Sequence, residues 1–156
     1  MPGPGGFQAK IEQRSGNEPA ATALANALIS GNAAPLEKAQ AHLLMARLAV
    51  QRQDAAAARA AVARARALAP DAPPSVQGAM AELEGRVAEL QRRWPEAAGA
   101  FDRAAAFYGQ AQMARDLPPT WASSAEAHQK AGAPAEAAVR YYYAARSAYG
   151  QGDLTN

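Results

Sequence analysis

Histidine and cysteine, the side chains most often used in metal and nucleophilic chemistry, are scarce in this 156-residue chain, which has two histidines and no cysteine. The two histidines, His42 and His128, stand far apart, and neither has a histidine or carboxylate three or four residues away. That spacing does not supply the several ligands that a metal ion needs, so we predict no metal site. The absence of cysteine excludes thiolate ligands, cysteine nucleophiles and disulfides. We expect His128 to be a packed, hydrogen-bonded histidine.

Three carboxylates, Glu82, Glu84 and Glu89, fall on one predicted helix, where a pair of them could in principle act as general acid and base. However, Glu82 precedes Arg86 by four residues, and Glu89 precedes Arg93 by four. Ion pairs at this spacing are ordinary helix-surface interactions, worth about 0.2–0.5 kcal/mol each. No G-x-S-x-G, phosphate-binding loop or glycine-rich dinucleotide turn occurs. We therefore predict neither an enzyme nor a cofactor.

The charge of the chain is small and unevenly distributed. The formal net charge is +2. Residues 1–70 contain eight Lys/Arg and four Asp/Glu, whereas residues 71–156 contain eight and ten. The basic N-terminal half favours an acidic partner, although a solvated arginine-rich surface explains it equally simply. Arginines between Arg47 and Arg66 have no interleaved aromatic residues, so we predict no nucleic-acid binding.

The beginning of the chain does not identify a compartment. MPGPGG has neither the charged nor the apolar region of a signal peptide. No apolar run is long enough to span a bilayer, so we predict no direct membrane insertion. Helical proteins that lack cysteine occur in both the cytosol and the periplasm. The cytoplasm is the default, and the periplasm is the alternative if a signal segment has been removed.

The composition predicts tightly packed helices. Apolar residues make up 49% of the chain, many of them alanine, and β-branched residues are scarce. Proline and glycine divide the chain into segments, with Asp54 a plausible N-cap. The predicted helices are 20–30, 35–52, 55–68, 75–93, 95–115, 120–130 and 134–150, preceded by a short one at 7–14. Residues 1–6 are predicted to be disordered and 151–156 to fray.

A spacing of small and large residues occurs three times. It begins at Ala46, Gly85 and Ala125, and a second small residue follows twelve positions later in each copy. A large residue stands four positions further on, and an alanine three positions after that. These positions are Ala58, Val62 and Ala65; Ala97, Phe101 and Ala104; and Ala137, Tyr141 and Ala144. Small residues at such positions allow two helices to cross closely, and the large residue fills the space between pairs.

This pattern resembles the tetratricopeptide repeat, a helix–turn–helix unit of 34 residues. Trp121, Gly132 and Pro70 match the family's tryptophan, turn glycine and terminal proline. The copies here are 39 and 40 residues apart, with the extra residues between the helix pairs. The resemblance implies an all-α solenoid of stacked antiparallel helical hairpins. We expect one domain over 7–150, with three full hairpins and a partial N-terminal one.

The resemblance also implies a function. Such arrays are non-catalytic scaffolds that bind a peptide or protein segment on a concave face lined by the first helix of each pair. Carried over to this chain, the partner-binding residues are Leu43, Arg47, Val50, Glu82, Arg86, Glu89, Glu126 and Gln129. Arg47 and Arg86 occupy the same position in adjacent copies, so together they would grip a carboxylate. The alternative is that both arginines pair with Glu82, Glu89 and Glu126.

The last predicted helix contains four tyrosines near the end of the stack. Tyr141 occupies the large-residue position and is expected inside. Tyr142 and Tyr149 share a face that would meet a following helix, so this end is either a self-association surface or the point where a longer array is cut. Tyrosine rings lying flat on an ordinary surface would explain them too. By family analogy, self-association would suit an assembly module of a bacterial secretion or pilus-type envelope complex.

Overall fold

The computed structural model describes residues 17–155, with side chains described as far as Gly150. This part of the chain contains seven α-helices and no strand, which confirms the all-α prediction. The helices are α1 (Glu18–Ser30), α2 (Pro35–Gln51), α3 (Ala55–Leu68), α4 (Pro74–Leu90), α5 (Trp94–Gln110), α6 (Leu117–Lys130) and α7 (Pro134–Thr155). Neighbouring helices pack together along the chain, and α2 also contacts α4. The predictions for residues 1–6 and 7–14 lie outside the described residues.

Most predicted helix boundaries lie within three residues of the observed ones. α3 has the predicted bounds, and its N-cap Asp54 accepts a hydrogen bond from the Ala57 N–H at 3.0 Å. Two ends differ. α5 stops at Gln110 instead of continuing to residue 115, because the chain turns there. α7 continues past the predicted end at residue 150 and is helical to Thr155, where fraying was predicted.

Four turns, after α2, α4, α5 and α6, share one geometry. The second residue beyond each helix has a positive φ: Gln53 (63°), Arg92 (57°), Gln112 (57°) and Gly132 (83°). The next residue then donates its N–H to the carbonyl five positions earlier, at 2.8–2.9 Å. This bond is that of a Schellman motif, which satisfies carbonyls at the helix end. Of the four positions, only Gly132 carries the residue type that the backbone prefers.

The small residues of the repeated spacing lie at helix crossings, as their spacing predicts. Ala46, Ala58, Ala97 and Ala125 are completely buried, and Gly85 is buried with them. A Cβ built on Gly85 would lie only 2.6 Å from Cε1 of the Phe101 ring. Glycine at this position is therefore what allows α4 to approach α5 so closely.

A second glycine shows how α4 and α5 run relative to each other. A Cβ on Gly78 would lie 2.6 Å from Cε1 of Tyr108. Gly78 precedes Gly85 by seven residues, whereas Tyr108 follows Phe101 by seven. The two helices are therefore antiparallel. Gly85 faces the Phe101 ring, and Gly78 faces the Tyr108 ring about two turns further along the pair.

The large residues of the spacing do not all lie in the interior. Val62 and Phe101 are buried, at 2% and 0% exposure, but Tyr141 is 44% exposed. The expectation that Tyr141 lies inside is wrong. Val62 lies in one core cluster with residues of α4, and Phe101 lies in another with Ala127 of α6, whereas no described helix follows α7. The third large residue of the spacing is therefore exposed where the first two are buried.

Candidate functional site

Two adjoining depressions lie between α2 and α4, with volumes of about 210 and 270 Å³. Together we call them the inner groove. One is lined by Arg47, Val50, Gln51, Ala79, Glu82, Leu83 and Arg86, and the other by Gln40, Leu43, Arg47, Ser75, Val76 and Ala79. The structure thus brings together five of the eight predicted partner-binding residues, from the first two copies. Arg47 is the charged residue that lines both depressions.

Arg47 is exposed and forms no ion pair within 4.0 Å among the described residues. Val50 and Ala79, which line the groove beside it, are half-buried and apolar. The groove therefore presents a guanidinium with unused donors next to an apolar surface. Such a site can accept a carboxylate and an adjacent apolar group from a partner.

Arg86, in contrast, already has several partners. It donates to Glu89 at 3.0 Å and to the Ser123 hydroxyl at 3.1 Å, and it lies 3.7 Å from Glu82. Its guanidinium also lies over the Phe101 ring, 4.8 Å from the centroid. The predicted two-arginine grip is therefore not formed in this structure, and the alternative of pairing with Glu82 and Glu89 describes Arg86. Through Ser123, Arg86 links α4 to α6.

Glu82 is held in place from two sides. The Tyr108 hydroxyl donates to it at 2.6 Å, and Arg86 balances its charge. Burial, reinforced by the hydrogen bond to Glu82, raises the pKa of Tyr108. Glu82 is therefore fixed at the wall of the groove by residues of both α4 and α5.

Glu89 does not pair with Arg93, contrary to the predicted spacing. α4 ends at Leu90 and Arg92 takes a positive φ, so Arg93 lies outside the helix. Arg93 lies 3.9 Å from Glu96 at the start of α5 instead. The i,i+4 rule applies only where both residues are helical.

The remaining predicted contact residues fall into two groups. Leu43 is 2% exposed and belongs to the core, so it is unavailable to a partner, although its edge borders the groove. Glu126 and Gln129 are exposed on α6 and line neither depression of the groove. Gln129 accepts a long hydrogen bond of 3.5 Å from the Tyr141 hydroxyl.

No family model matches this chain, and no curated protein or solved structure proves significantly similar to it.

A polar cluster that the sequence reasoning missed joins α5, α6 and α7. Asp102 accepts a hydrogen bond from the buried Ser124 hydroxyl at 2.5 Å, and its other oxygen lies 3.2 Å from His128 Nε2. Arg140 donates to the same carboxylate at 3.1 and 3.3 Å and also pairs with Glu136. His128 is hydrogen-bonded as expected. Its partner is 26 residues away, beyond the reach of any local spacing rule.

Opposing effects set the charge state of this cluster. Burial raises the pKa of Asp102, but hydrogen bonds from Arg140, Ser124 and His128 outweigh it and hold that pKa below its usual range. The hydrogen bond to Asp102 raises the pKa of Arg140. The carboxylate is therefore charged near neutral pH and ties three helices together.

This cluster contains serine, histidine and aspartate but lacks the arrangement of a catalytic triad. In a triad, histidine lies between the other two and accepts the serine proton. Here Ser124 and His128 bind different oxygens of the same carboxylate, and Ser124 is fully buried. Ser124 donates its proton to Asp102, so its oxygen is not activated by His128. The arrangement is that of a structural tie.

The other histidine, His42, is buried on α2. Burial, followed by the nearby charge of Arg64, lowers the pKa of His42. Residues 17–150 contain no group of three or more histidine or acidic side chains placed to hold a metal ion. None of the described helices combines the length and apolarity needed to cross a bilayer.

The surface of α7 is unusually aromatic. Tyr142 and Tyr149 are 58% and 72% exposed, as expected for the predicted self-association face. Tyr143 packs against Trp121 of α6, with ring centroids 4.9 Å apart, and lies 6.1 Å from Tyr142. Tyr143 thus contacts α6 through Trp121, whereas the Tyr142 and Tyr149 side chains remain exposed.

Proposed function

We propose that this chain is a non-catalytic interaction scaffold of stacked helical hairpins, similar to tetratricopeptide arrays, that binds an acidic peptide or protein segment in its inner groove. Two features support the repeat architecture. Most of the small residues at equivalent positions are buried, and α4 and α5 are antiparallel. In such a stack the first helices of neighbouring pairs share one face, which is where α2 and α4 form the groove.

The observation that carries the binding proposal is the contrast between Arg47 and Arg86. Both arginines line the groove, but Arg86 is neutralised by Glu82 and Glu89, whereas Arg47 has no described carboxylate within 4.0 Å. An exposed cation without a partner in a concave, partly apolar surface is suited to a carboxylate supplied from outside. Arg47 is therefore the residue that recognises the partner, and Arg86 supports the groove wall.

The groove also defines what the segment should look like. A Glu or Asp side chain would lie against Arg47, and a neighbouring apolar side chain would cover Val50 and Ala79. An acidic residue placed at Glu82 would be repelled. The preferred segment is consequently short, with one acidic and one apolar anchor.

A peptide-display selection on the purified protein tests this proposal. We expect enriched peptides to carry an acidic residue beside an apolar one. Affinity of a selected peptide, measured by fluorescence polarisation, should fall by about tenfold or more in Arg47→Glu, because a charge-assisted hydrogen bond is lost and a repulsion is added.

The matched control is Arg59→Glu, which makes the same charge change on an exposed arginine that lies outside the groove. This variant should bind the selected peptide as tightly as the unmodified protein. Equal losses in both variants would mean that only net charge matters, and no loss in Arg47→Glu would show that the groove is not the binding site.

A second candidate function, self-association through α7, is supported by a separate observation. Five large side chains on this one helix are exposed, namely Val139, Tyr141, Tyr142, Tyr143 and Tyr149. Sedimentation velocity at increasing concentration measures it directly. Dimers that disappear in Tyr142→Ser with Tyr149→Ser would support this function, and a strictly monomeric unmodified chain would exclude it.

A further inference from the structure

A second concave surface, which we call the outer cleft, lies between α3, α4 and α5. Its volume is about 520 Å³, and it shares no residue with the inner groove. It is lined by Arg59, Val62, Ala63, Arg66, Glu84, Val87, Ala88, Arg93, Glu96, Ala100 and Arg103. The proposed peptide groove does not account for this cleft.

The outer cleft is positively charged after its internal pairs are counted. Four arginines and two glutamates line it, which leaves a formal charge of +2. Arg66 binds both oxygens of Glu84, at 2.9 and 3.1 Å, and Arg103 lies 4.0 Å from the same carboxylate. Arg59 has no carboxylate partner among residues 17–150 and donates to the Gln91 side chain at 2.8 Å. The surplus charge is therefore associated with Arg59 and Arg103.

The floor of the cleft is apolar and its polar rim donates hydrogen bonds. Val62, Val87, Ala88 and Ala100 are buried residues of three helices, whose backbone groups are bonded within those helices. The guanidiniums are donors only, and Glu84 is already engaged by Arg66. A complementary ligand would place negatively charged hydrogen-bond acceptors against the arginines of the rim. It would place an apolar group against the buried residues of the floor.

We propose that the outer cleft binds a small organic anion that carries at least two negative charges on an apolar or aromatic body. The cleft volume lies within the roughly 300–1,000 Å³ typical of small-molecule sites. Arginine forks match both phosphate and carboxylate oxygens, so either group would supply the charge. This site is separate from the inner groove and stands independently of the peptide-binding function.

Titration calorimetry with defined probes tests the site. ADP and naphthalene dicarboxylate each join two or more negative charges to an aromatic body, and they separate phosphate from carboxylate recognition. Adenosine has an aromatic body without the charge. We expect at least one of the two anions to bind with simple one-site behaviour, adenosine to give no heat, and affinity to fall as salt is raised.

Two kinds of variant locate the binding. Arg59→Gln with Arg103→Gln removes the surplus charge but keeps the pair between Arg66 and Glu84, and should weaken binding by about tenfold or more. Ala63→Leu keeps every charge and narrows the cleft from an exposed helix position, so it should also weaken binding. Arg115→Gln with Arg146→Gln removes the same number of charges from exposed positions that line neither the cleft nor the groove, so it is the matched control and should bind normally.

Three results would overturn the proposal. If neither anion binds the unmodified protein, the site is excluded. Equal weakening by Arg115→Gln with Arg146→Gln would indicate general charge attraction. Binding of a glutamate-rich peptide, with neither small anion bound, would make the cleft a protein-docking surface instead.

Discussion

A close approach between α4 and α5 gives a sharp test of the fold, and Gly85→Ala perturbs it with a single methyl group. A Cβ at this position would lie 2.6 Å from Cε1 and 2.8 Å from Cδ1 and Cζ of the Phe101 ring. The ring is fully buried, with the Arg86 guanidinium over it, so it cannot swing aside freely. Either the ring or α4 must move to accommodate the methyl group.

The expected magnitude follows from two opposing effects. Overpacking a buried site destabilises a protein by about 1–3 kcal/mol. Replacing glycine by alanine inside a helix stabilises it by about 1 kcal/mol. Gly99→Ala isolates the second effect, because the nearest atom outside its own helix backbone, Arg103 Nη1, is at an ordinary contact distance of 3.7 Å. The free energy of unfolding of Gly85→Ala should therefore be about 1–3 kcal/mol lower than that of Gly99→Ala.

Urea unfolding of the two variants measures this difference. The comparison requires that the two variants have similar m-values. Phe101→Leu provides a second check because it removes the ring that the new methyl group would meet. In that background the penalty of Gly85→Ala should largely disappear, which gives a coupling of about 1–3 kcal/mol in a double-mutant cycle. If Gly85→Ala stabilises the protein as much as Gly99→Ala does, α4 and α5 do not cross as described.

Three further outcomes follow from the same structure. Phe101→Ala should lower the free energy of unfolding by about 3–5 kcal/mol. Tyr141→Ala, at the equivalent but exposed position, should change it by only about 0.5 kcal/mol. Similar losses of the two variants in urea unfolding would contradict the difference in burial. Arg92 and Gly132 both have a positive φ, which glycine adopts more easily than other residues. Arg92→Gly should therefore raise the free energy of unfolding by up to about 1 kcal/mol, and Gly132→Ala should lower it by about 1 kcal/mol. Urea unfolding measures both changes. The pKa of Asp102 is held below its ordinary value of 3.8, so its stabilising contribution is present above that value and lost as pH falls through the lower folded value. Thermal melts should accordingly show the unmodified protein losing stability more steeply below about pH 4 than Asp102→Asn does, and parallel curves would contradict the role of the cluster.

The helices and their crossings were predictable from the sequence because they depend on local chemistry and regular spacing. Asp54 caps α3 at the position where an acidic residue precedes an alanine run. The spacing predicted that small residues such as Gly85 lie where two helices cross, and the close approach of the Phe101 ring to Gly85 marks such a crossing. What the spacing could not show is that no described helix packs over Tyr141, which is therefore exposed.

The candidate site was predictable only in part. Equivalent repeat positions led to the face where Arg47 and Arg86 both line the groove, but the repeat does not determine which guanidinium is already paired. Leu43 was placed on the binding face by position alone, although packing against α4 buries it. The Asp102 cluster and the outer cleft combine residues from three helices each, at separations that no periodicity encodes.

A charge exchange between Arg47 and its ligand tests the central proposal most directly. Fluorescence polarisation would compare the selected acidic peptide and its version with the acidic residue replaced by lysine, each against the unmodified protein and Arg47→Glu. We expect each single reversal to weaken binding by about tenfold or more, and the double reversal to recover much of that loss because the opposite charges meet again. Losses that simply add in the double reversal would show that the peptide carboxylate does not lie against Arg47, and would contradict the proposed groove.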